Sequence, residues 1–205
     1  MQIDIWSDIV CPWCYIGVER FDRALAGFDG ETTIRLHPFQ LDPEAPIPGE
    51  PARARYERRF GDGIDAMFER VASEARALDL PIDWDRAITA NTFDAHRLIA
   101  YARPGGRDRN LERWLFRAYF AEGLDVSDRG VLADAAETIG LDRGAVSAYL
   151  ESDDGVDGVR GELVDAFDRG ITAVPSFVFQ EEFLVPGAVD EATFARILEQ
   201  MRAAS

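Results

Sequence analysis

The sequence predicts an α/β protein in which a long helical block separates two segments that mix strands and helices. Residues 2–10 are rich in Ile, Val and Trp and alternate loosely, as a strand does, and residues 171–179 repeat that character near the C-terminus. Between these segments, from residue 52 to residue 150, apolar residues recur at helical spacing. The expected order is therefore β-α-β, a block of helices, then α-β-β-α.

The remaining elements follow from local patterns. Helical spacing from Tyr15 onward predicts the first helix, which the glycines at 27 and 30 should end. A second strand is expected over residues 32–41, before a proline-rich stretch. Beyond the helical block we expect a helix over residues 155–170, a short strand over 183–185 and a last helix over 190–202.

Composition excludes several classes of function. The formal net charge is −16, from 38 acidic and 22 basic residues, so most of the surface would repel a phosphate backbone, and nucleic acid is not an expected partner. Every one of those 22 is Arg, which excludes Schiff-base and lysine-base mechanisms. No apolar run approaches the ~20 residues that a bilayer-spanning helix needs, and the first residues lack the features of a secretion signal. We therefore expect a cytoplasmic protein with no membrane role.

Cys11 and Cys14 flank Pro12 and Trp13 where the first strand ends and the first helix begins. Cysteines three residues apart at a helix start have Cα atoms ~5–6 Å apart, within the range that a disulfide requires. The free N–H groups and the helix dipole favour the thiolate of Cys11, which we expect at the exposed helix end. Cys14, one turn deeper, should be buried and act as the resolving thiol. Pro12 suits the first helical position, and Trp13 offers an apolar face to a partner.

Other interpretations of the cysteine pair are a zinc site, a structural disulfide and two inert buried thiols. Zinc would need two more ligands, and His37 and His96 stand singly, outside the usual ligand spacing. A disulfide that closes so short a loop removes little entropy from the unfolded chain. An inert pair fits poorly with a position between a strand and a helix. The two cysteines are therefore better suited to a disulfide that forms and breaks during a reaction.

The Cys-Pro-Trp-Cys motif after an N-terminal strand, with Val174-Pro175 before a strand near the C-terminus, resembles the DsbA-like branch of the thioredoxin superfamily. Within that branch, residues 8–17, 91–98 and 115–120 look like the cytoplasmic FrnE-type subgroup. The resemblance implies thiol–disulfide oxidoreductase activity on a disulfide- or thiol-containing protein or small molecule. It implies no tightly bound cofactor, with glutathione as a possible co-substrate.

The same resemblance implies a thioredoxin fold with an inserted all-helical domain. Residues 1–43 and 155–205 would form the thioredoxin-like domain, and residues 44–154 the insertion. It also implies that the Val174–Pro175 bond is cis and faces the cysteines, where both residues would contact a substrate.

Two further residues match a family block that lines the cleft between the layers. These are Asn91 and His96, for which the resemblance implies substrate binding, although a single His on an apolar helix face is also typical of a hydrogen-bonded core residue. His37, in a strand, is expected to be structural. Asp8 could relay a proton or simply end the first strand.

The chain also departs from its relatives. With only two cysteines it lacks the second pair that some FrnE-type proteins carry, and Val189 stands where relatives often have Gln. The fold branch also resembles kappa-class glutathione transferases and 2-hydroxychromene-2-carboxylate isomerase, so a glutathione-dependent isomerase or transferase is the alternative function. Those relatives usually have Ser in place of the first cysteine, and retention of both thiols favours redox chemistry. A binding module that uses the cleft for a peptide is a third hypothesis, which a solvent-inaccessible Cys11 would favour.

Overall fold

The computed structural model describes residues 1–61 and 63–203. Within these residues the chain forms one sheet, and its strands are β1 at Gln2–Ser7, β2 at Thr33–Pro38, β3 at Ser176–Phe179 and β4 at Phe183–Pro186. The described helices are α1 at Pro12–Ala26, α2 at Ala52–Phe60, α3 at Ile64–Arg76, α4 at Phe93–Ala102, α5 at Asp108–Arg117, α6 at Arg129–Thr138, α7 at Arg143–Glu151, α8 at Val156–Asp168 and α9 at Glu191–Ala203.

Two irregular turns belong to the helical block. A 3-10 turn at Arg103–Gly105 follows α4, and α5 continues into a π-helical turn at Ala118–Glu122. In the part of the chain that the structure describes, none of the helices is both long and apolar enough to cross a bilayer.

Strand β1 is central in the sheet, whose order is β2-β1-β3-β4. It pairs parallel with β2 and antiparallel with β3, so that Ile5 lies opposite Leu36 on one side and Phe177 on the other. A parallel pair needs a crossover connection, and α1 supplies it. The residues that follow β1 therefore emerge at the middle of the sheet, where α1 begins.

The two faces of the sheet are covered by different helices. Ile3 and Ile5 of β1 are fully buried in the main core, whereas Trp6 belongs to a second cluster with Ala166 and Ile171, at and just after the end of α8. This alternation is what a strand buried on both faces requires. On the α1 and α9 side three aromatic rings form a cluster, with the centroid of Phe21 5.3 Å from that of Phe177 and 5.4 Å from that of Phe194.

Helix α1 also packs against the helical block. The ring of Tyr15 stacks on Phe116 and Phe120, with centroid separations of 5.3 and 5.5 Å. One continuous core cluster contains residues of the sheet and of the helical block. The predicted division of the chain at residues 43/44 and 154/155 stays a prediction.

The predicted order of elements is confirmed, and the differences lie at element ends. Strand β1 ends at Ser7 instead of residue 10, because the Asp8 carbonyl accepts a hydrogen bond from the Cys11 N–H at 3.0 Å and closes a turn. Strand β3 begins at Ser176 instead of residue 171, directly after Pro175, which has no N–H to donate to a ladder. Pro12 occupies the first helical position, as expected.

Gly17 lets helix α1 approach the loop that contains Pro175. A Cβ placed on Gly17 would lie 2.9 Å from the Pro175 Cγ and 3.2 Å from the Ala188 Cβ. Pro175 is buried, and the backbone Cα of Ala188 would lie 3.3 Å from the added Cβ, so relief of the contact requires movement of the loop backbone.

We expect Gly17→Ala to lower the free energy of unfolding by about 1 kcal/mol. Overpacking of this kind costs about 1–3 kcal/mol, and the better helix propensity of Ala returns up to about 1 kcal/mol. Gly161→Ala is the matched control, since Gly161 also lies inside a helix but has open space around it, and it should stabilise the protein. Urea unfolding measures both, and equal stabilisation by the two substitutions would contradict the close approach.

Candidate active site at the start of helix α1

Cys11 is the N-cap residue of α1. Its backbone is extended, with φ −88° and ψ 110°, and its sulfur accepts a hydrogen bond from the Cys14 N–H at 3.3 Å. The sulfur thus satisfies one of the N–H groups that a helix start leaves without a partner. Both cysteines are free thiols in this structure.

The structure corrects the expectation that Cys11 stands at an exposed helix end. Cys11 is only 4% exposed and Cys14 is fully buried. Cys11 is covered because the chain returns to it after α8, and its Sγ lies 3.7 Å from the carbonyl oxygen of Val174, to which the thiol donates a weak hydrogen bond. Of the two sulfurs, Cys11 remains the more accessible.

Cys14 lies in surroundings that favour the neutral thiol. Burial raises its pKa well above the ordinary value, and the adjacent Cys11 raises it further, against an opposing backbone hydrogen bond from Asp8. Cys14 is therefore protonated at neutral pH and must lose its proton when it attacks.

The loop of Val174 and Pro175 closes the site on one side. The peptide bond between them is cis, and the Pro175 carbonyl accepts a hydrogen bond from the Gly187 N–H at 2.7 Å. This hydrogen bond holds the loop against the segment after β4. The structure thus brings Val174 and Cys11 into contact, although 163 positions separate them along the chain.

Pro12 and Trp13 lie at the rim of the site and are partly exposed. The guanidinium of Arg70, on α3, lies 5.5 Å from the centre of the Trp13 ring. Trp13, two residues after Cys11, is therefore a partly exposed aromatic ring that contacts a cation of the helical block.

His96 lies behind the cysteines. Its Nε2 donates to the carbonyl of Phe39 at 2.9 Å and lies 3.4 Å from Asp8 Oδ1, while its ring is almost fully buried. Asp8 is also fully buried, and its Oδ2 accepts a hydrogen bond from the Leu41 N–H at 2.8 Å. These contacts are those of a hydrogen-bonded core residue, and substrate binding by His96 stays a prediction.

Asn91 has a local bonding role. Its side-chain oxygen accepts hydrogen bonds from the Phe93 N–H at 3.0 Å and from Gln40, and its amide donates to the Pro43 carbonyl at 2.8 Å. It therefore ties the start of α4 to the segment after β2, and its predicted contact with substrate also stays a prediction. His37 has the expected structural surroundings, between Asp4 and Glu162.

Sequence reasoning missed Glu112 and Ser7. Glu112 of α5 is almost fully buried and accepts a hydrogen bond from the Ser7 hydroxyl at 2.5 Å. Burial raises the pKa of Glu112 to about 7, although the Ser7 bond opposes this shift. The available signal was an acidic residue on the apolar stripe of α5, beside Leu111 and one turn before Phe116.

Among residues 1–61 and 63–203, no three His, Cys, Asp or Glu side chains are placed to hold a metal ion. The candidate site is therefore built from two thiols, the helix start and the loop of Val174 and Pro175.

We expect the stability of the protein to fall as the pH rises from about 4.5 to about 7. The folded protein keeps a proton on Glu112 in this range, while the unfolded chain, with the ordinary carboxyl pKa of 4.5, has released it. The stabilising contribution is fully present below the unfolded value and is lost above about 7, and a shift of this size corresponds to about 3 kcal/mol.

Urea unfolding at about pH 5 and about pH 8 tests this dependence. Glu112→Gln should flatten the profile, and Glu137→Gln, an exposed glutamate on α6, should leave it unchanged. An unaltered profile in Glu112→Gln would show that other groups produce the dependence.

The sequence matches a known protein family over almost the whole chain. Residues 2–199 match the DsbA-like thioredoxin domain. The crystal structure of the probable DsbA oxidoreductase SCO1869 from Streptomyces coelicolor is 31% identical, with a TM-score of 0.93, and the match covers 100% of this chain and 91% of that one. The 2-hydroxychromene-2-carboxylate isomerase of Sphingobium xenophagum is 25% identical over 186 residues, which are 88% of this chain and 89% of the relative.

The fold is shared more widely. The cytosolic disulfide reductase DsbM from Pseudomonas aeruginosa is 17% identical with a TM-score of 0.69, covers both chains fully, and also has a structure with GSH. The predicted fold class, an α/β thioredoxin fold with an inserted helical domain, is confirmed. The chain belongs to the DsbA-like thioredoxin domain family.

Proposed function

We propose that this protein is a thiol–disulfide oxidoreductase in which Cys11 is the nucleophile and Cys14 the resolving thiol. One observation carries the proposal: two free thiols share the first turn of a helix, and only the first of them retains any exposure. A free N–H group at a helix start stabilises negative charge on a sulfur, and Cys11 Sγ accepts such a bond.

The exchange proceeds in two balanced steps. The Cys11 thiolate attacks one sulfur of the substrate disulfide, which forms a mixed disulfide and releases the other half as a thiolate. Cys14 then attacks Cys11 Sγ and releases the second half, which leaves with the proton of Cys14. The substrate gains two electrons, and the protein retains a Cys11–Cys14 disulfide. The reverse sequence oxidises a dithiol.

The groups around Cys11 are the proposed substrate contacts. Val174 contacts the sulfur from the returning loop, Pro175 follows it, and Pro12 and Trp13 form the rim. The Val174 carbonyl lies 3.7 Å from Cys11 Sγ, so a substrate bound to that sulfur must lie along the loop. These four residues position the reacting disulfide, and Asn91 and His96 would act behind them.

The proposed partners are disulfide- or thiol-containing proteins or small molecules. An acidic surface with a net charge of −16 makes polyanions unfavourable partners. We place the reaction in the cytoplasm, which the similarity to a cytosolic disulfide reductase supports. Because that compartment is reducing, we propose that a small thiol such as glutathione returns the pair to its dithiol form.

A glutathione-dependent isomerase or transferase is the second candidate, and its support is the relative that is named 2-hydroxychromene-2-carboxylate isomerase. Such a reaction needs bound glutathione and does not consume the dithiol. A disulfide exchange that requires both Cys11 and Cys14 therefore distinguishes the oxidoreductase from the glutathione-dependent enzyme. The low exposure of Cys11 also keeps a peptide-binding module as a third candidate.

We expect Cys14→Ser to accumulate mixed disulfides and Cys11→Ser to lose exchange without forming them. In the first variant the nucleophile remains and the resolving thiol is missing, whereas in the second the remaining thiol is buried and holds its proton tightly. Non-reducing gels and intact-mass measurement of the variants, purified from cells and after reaction with a small disulfide, detect the adducts.

The double variant, with Ser at both positions, is the control for non-specific association. Equal adduct levels in the two single variants would contradict the assignment of Cys11 as the nucleophile and Cys14 as the resolving thiol. Absence of adducts from both, together with glutathione-dependent isomerisation by the wild-type protein, would favour the second candidate.

A further inference from the structure

A cavity of about 150 Å³ lies between the turn before α1 and the helical block. Val10, the residue before Cys11, forms part of its wall. Burial raises the pKa of Tyr56, another wall residue, to about 12, and the nearby sulfur of Cys11 adds to this effect. The cavity therefore adjoins the residue before the reacting cysteine, and its volume suits a single aromatic ring.

The walls of the cavity are mainly apolar. Side chains from five parts of the chain contribute apolar surface, namely Val10, Leu41, Tyr56, Phe60, Ala90 and Tyr119. A polar peptide would lose its hydration in such surroundings without gaining enough hydrogen bonds. Apolar or aromatic groups suit these walls, because their transfer from water is favourable.

Tyr119 supplies an unused polar group. Its side chain lines the cavity and is 1% exposed, and its hydroxyl has no hydrogen-bond partner within residues 1–61 and 63–203. A buried hydroxyl without a partner costs about 1–3 kcal/mol. A ligand atom in the cavity is the partner that this hydroxyl lacks.

Arg59 supplies a cation with free donors at the same cavity. Its neighbour Arg55 is bound to Asp42 at 2.7 Å and to Glu50 at 3.2 Å, and Arg58 is bound to Glu50 at 2.6 Å. Arg59 reaches Asp42 only at 3.6 Å, without a hydrogen bond among the described residues, and half of its side chain is exposed. One negative group can therefore be bound by Arg59 in exchange for only this long contact with Asp42, which also lines the cavity.

We propose that this cavity binds the substrate of Cys11. This substrate is a low-molecular-weight thiol or disulfide in which each sulfur carries an aromatic or branched apolar body with one carboxylate. The inference rests on the proposed exchange chemistry and adds its substrate class. The carboxylate pairs with Arg59, the apolar body fills the cavity, and a polar atom of the ligand accepts a hydrogen bond from Tyr119. The sulfur then lies at the Cys11 end.

Three disulfides test this substrate class in single-turnover reactions of the reduced protein. Dithiobis-nitrobenzoate has an aromatic ring and one carboxylate on each half, dithiodipyridine has the ring without the carboxylate, and oxidised glutathione is polar. Each rate is divided by the rate of the same disulfide with dithiothreitol, which removes differences in intrinsic reactivity. We expect the normalised rate to be highest for dithiobis-nitrobenzoate and lowest for oxidised glutathione.

Arg59→Ala should slow the reaction of dithiobis-nitrobenzoate about tenfold, as expected for loss of a charge-assisted hydrogen bond. The reaction of dithiodipyridine should slow by less than about twofold, because it has no carboxylate to lose. Arg58→Ala is the matched control: Arg58 is adjacent and similarly exposed but does not line this cavity, so both rates should be unchanged. Arg59→Lys should recover part of the loss.

Equal slowing of both disulfides in Arg59→Ala, or the highest normalised rate for oxidised glutathione, would overturn the inference. A binding measurement separates it from the exchange chemistry: nitrobenzoate, which has no sulfur, should bind the Cys11→Ser variant in calorimetry and should bind at least about tenfold more weakly when Arg59→Ala is added. Binding without exchange in the wild-type protein would contradict the oxidoreductase. Exchange without such binding would contradict only the proposed cavity.

Discussion

The start of helix α1 is the constraint on which the site depends. An α-helix leaves its first N–H groups without internal partners, and oxygen side chains usually accept bonds from them. Here the acceptor is the sulfur of Cys11, which is a weaker acceptor than the oxygen of Ser or Asp. The helix is secured instead by the burial of Tyr15 and Phe21 against two different layers. Packing therefore holds the helix start in place, and the thiol can occupy the cap position.

The end of β1 is held against the helical block by polar contacts. Ser7 and Asp8 are consecutive and buried, and they contact Glu112 of α5 and His96 of α4 respectively. Buried polar atoms are costly unless they have partners, and Glu112 Oε2 and Asp8 Oδ1 have no hydrogen bond among the described residues. The strand that leads to the cysteines is thus joined to the helical block by buried polar groups, and burial raises the pKa of one of them, Glu112, to about 7.

The order of the elements and the position of the cysteine pair could be predicted, because both follow from local patterns. Alternation predicted the strands, and two cysteines separated by Pro12 and Trp13 predicted a reactive pair at a helix start. Exposure could not be predicted in this way. Cys11 is covered by Val174, which is distant in sequence, and Glu112 meets Ser7 only when α5 packs behind β1. Such contacts depend on the packing of elements, which no local pattern encodes.

The cavity and the thiols come from separate parts of the chain, and this separation has an evolutionary consequence. The sulfurs lie in the first turn after β1, whereas Tyr56 and Arg59 lie on α2, and Tyr119 in the π-helical turn. Helix α2 is bound partly through exposed ion pairs such as Arg53 with Asp65, each of which contributes little stability. Substitutions at the exposed positions of α2, such as Arg59, are therefore expected to change the stability of the fold little and to leave the sulfurs untouched. Under the proposed function, the choice of substrate could therefore change through exposed residues of α2 while the chemistry of the two sulfurs stays the same.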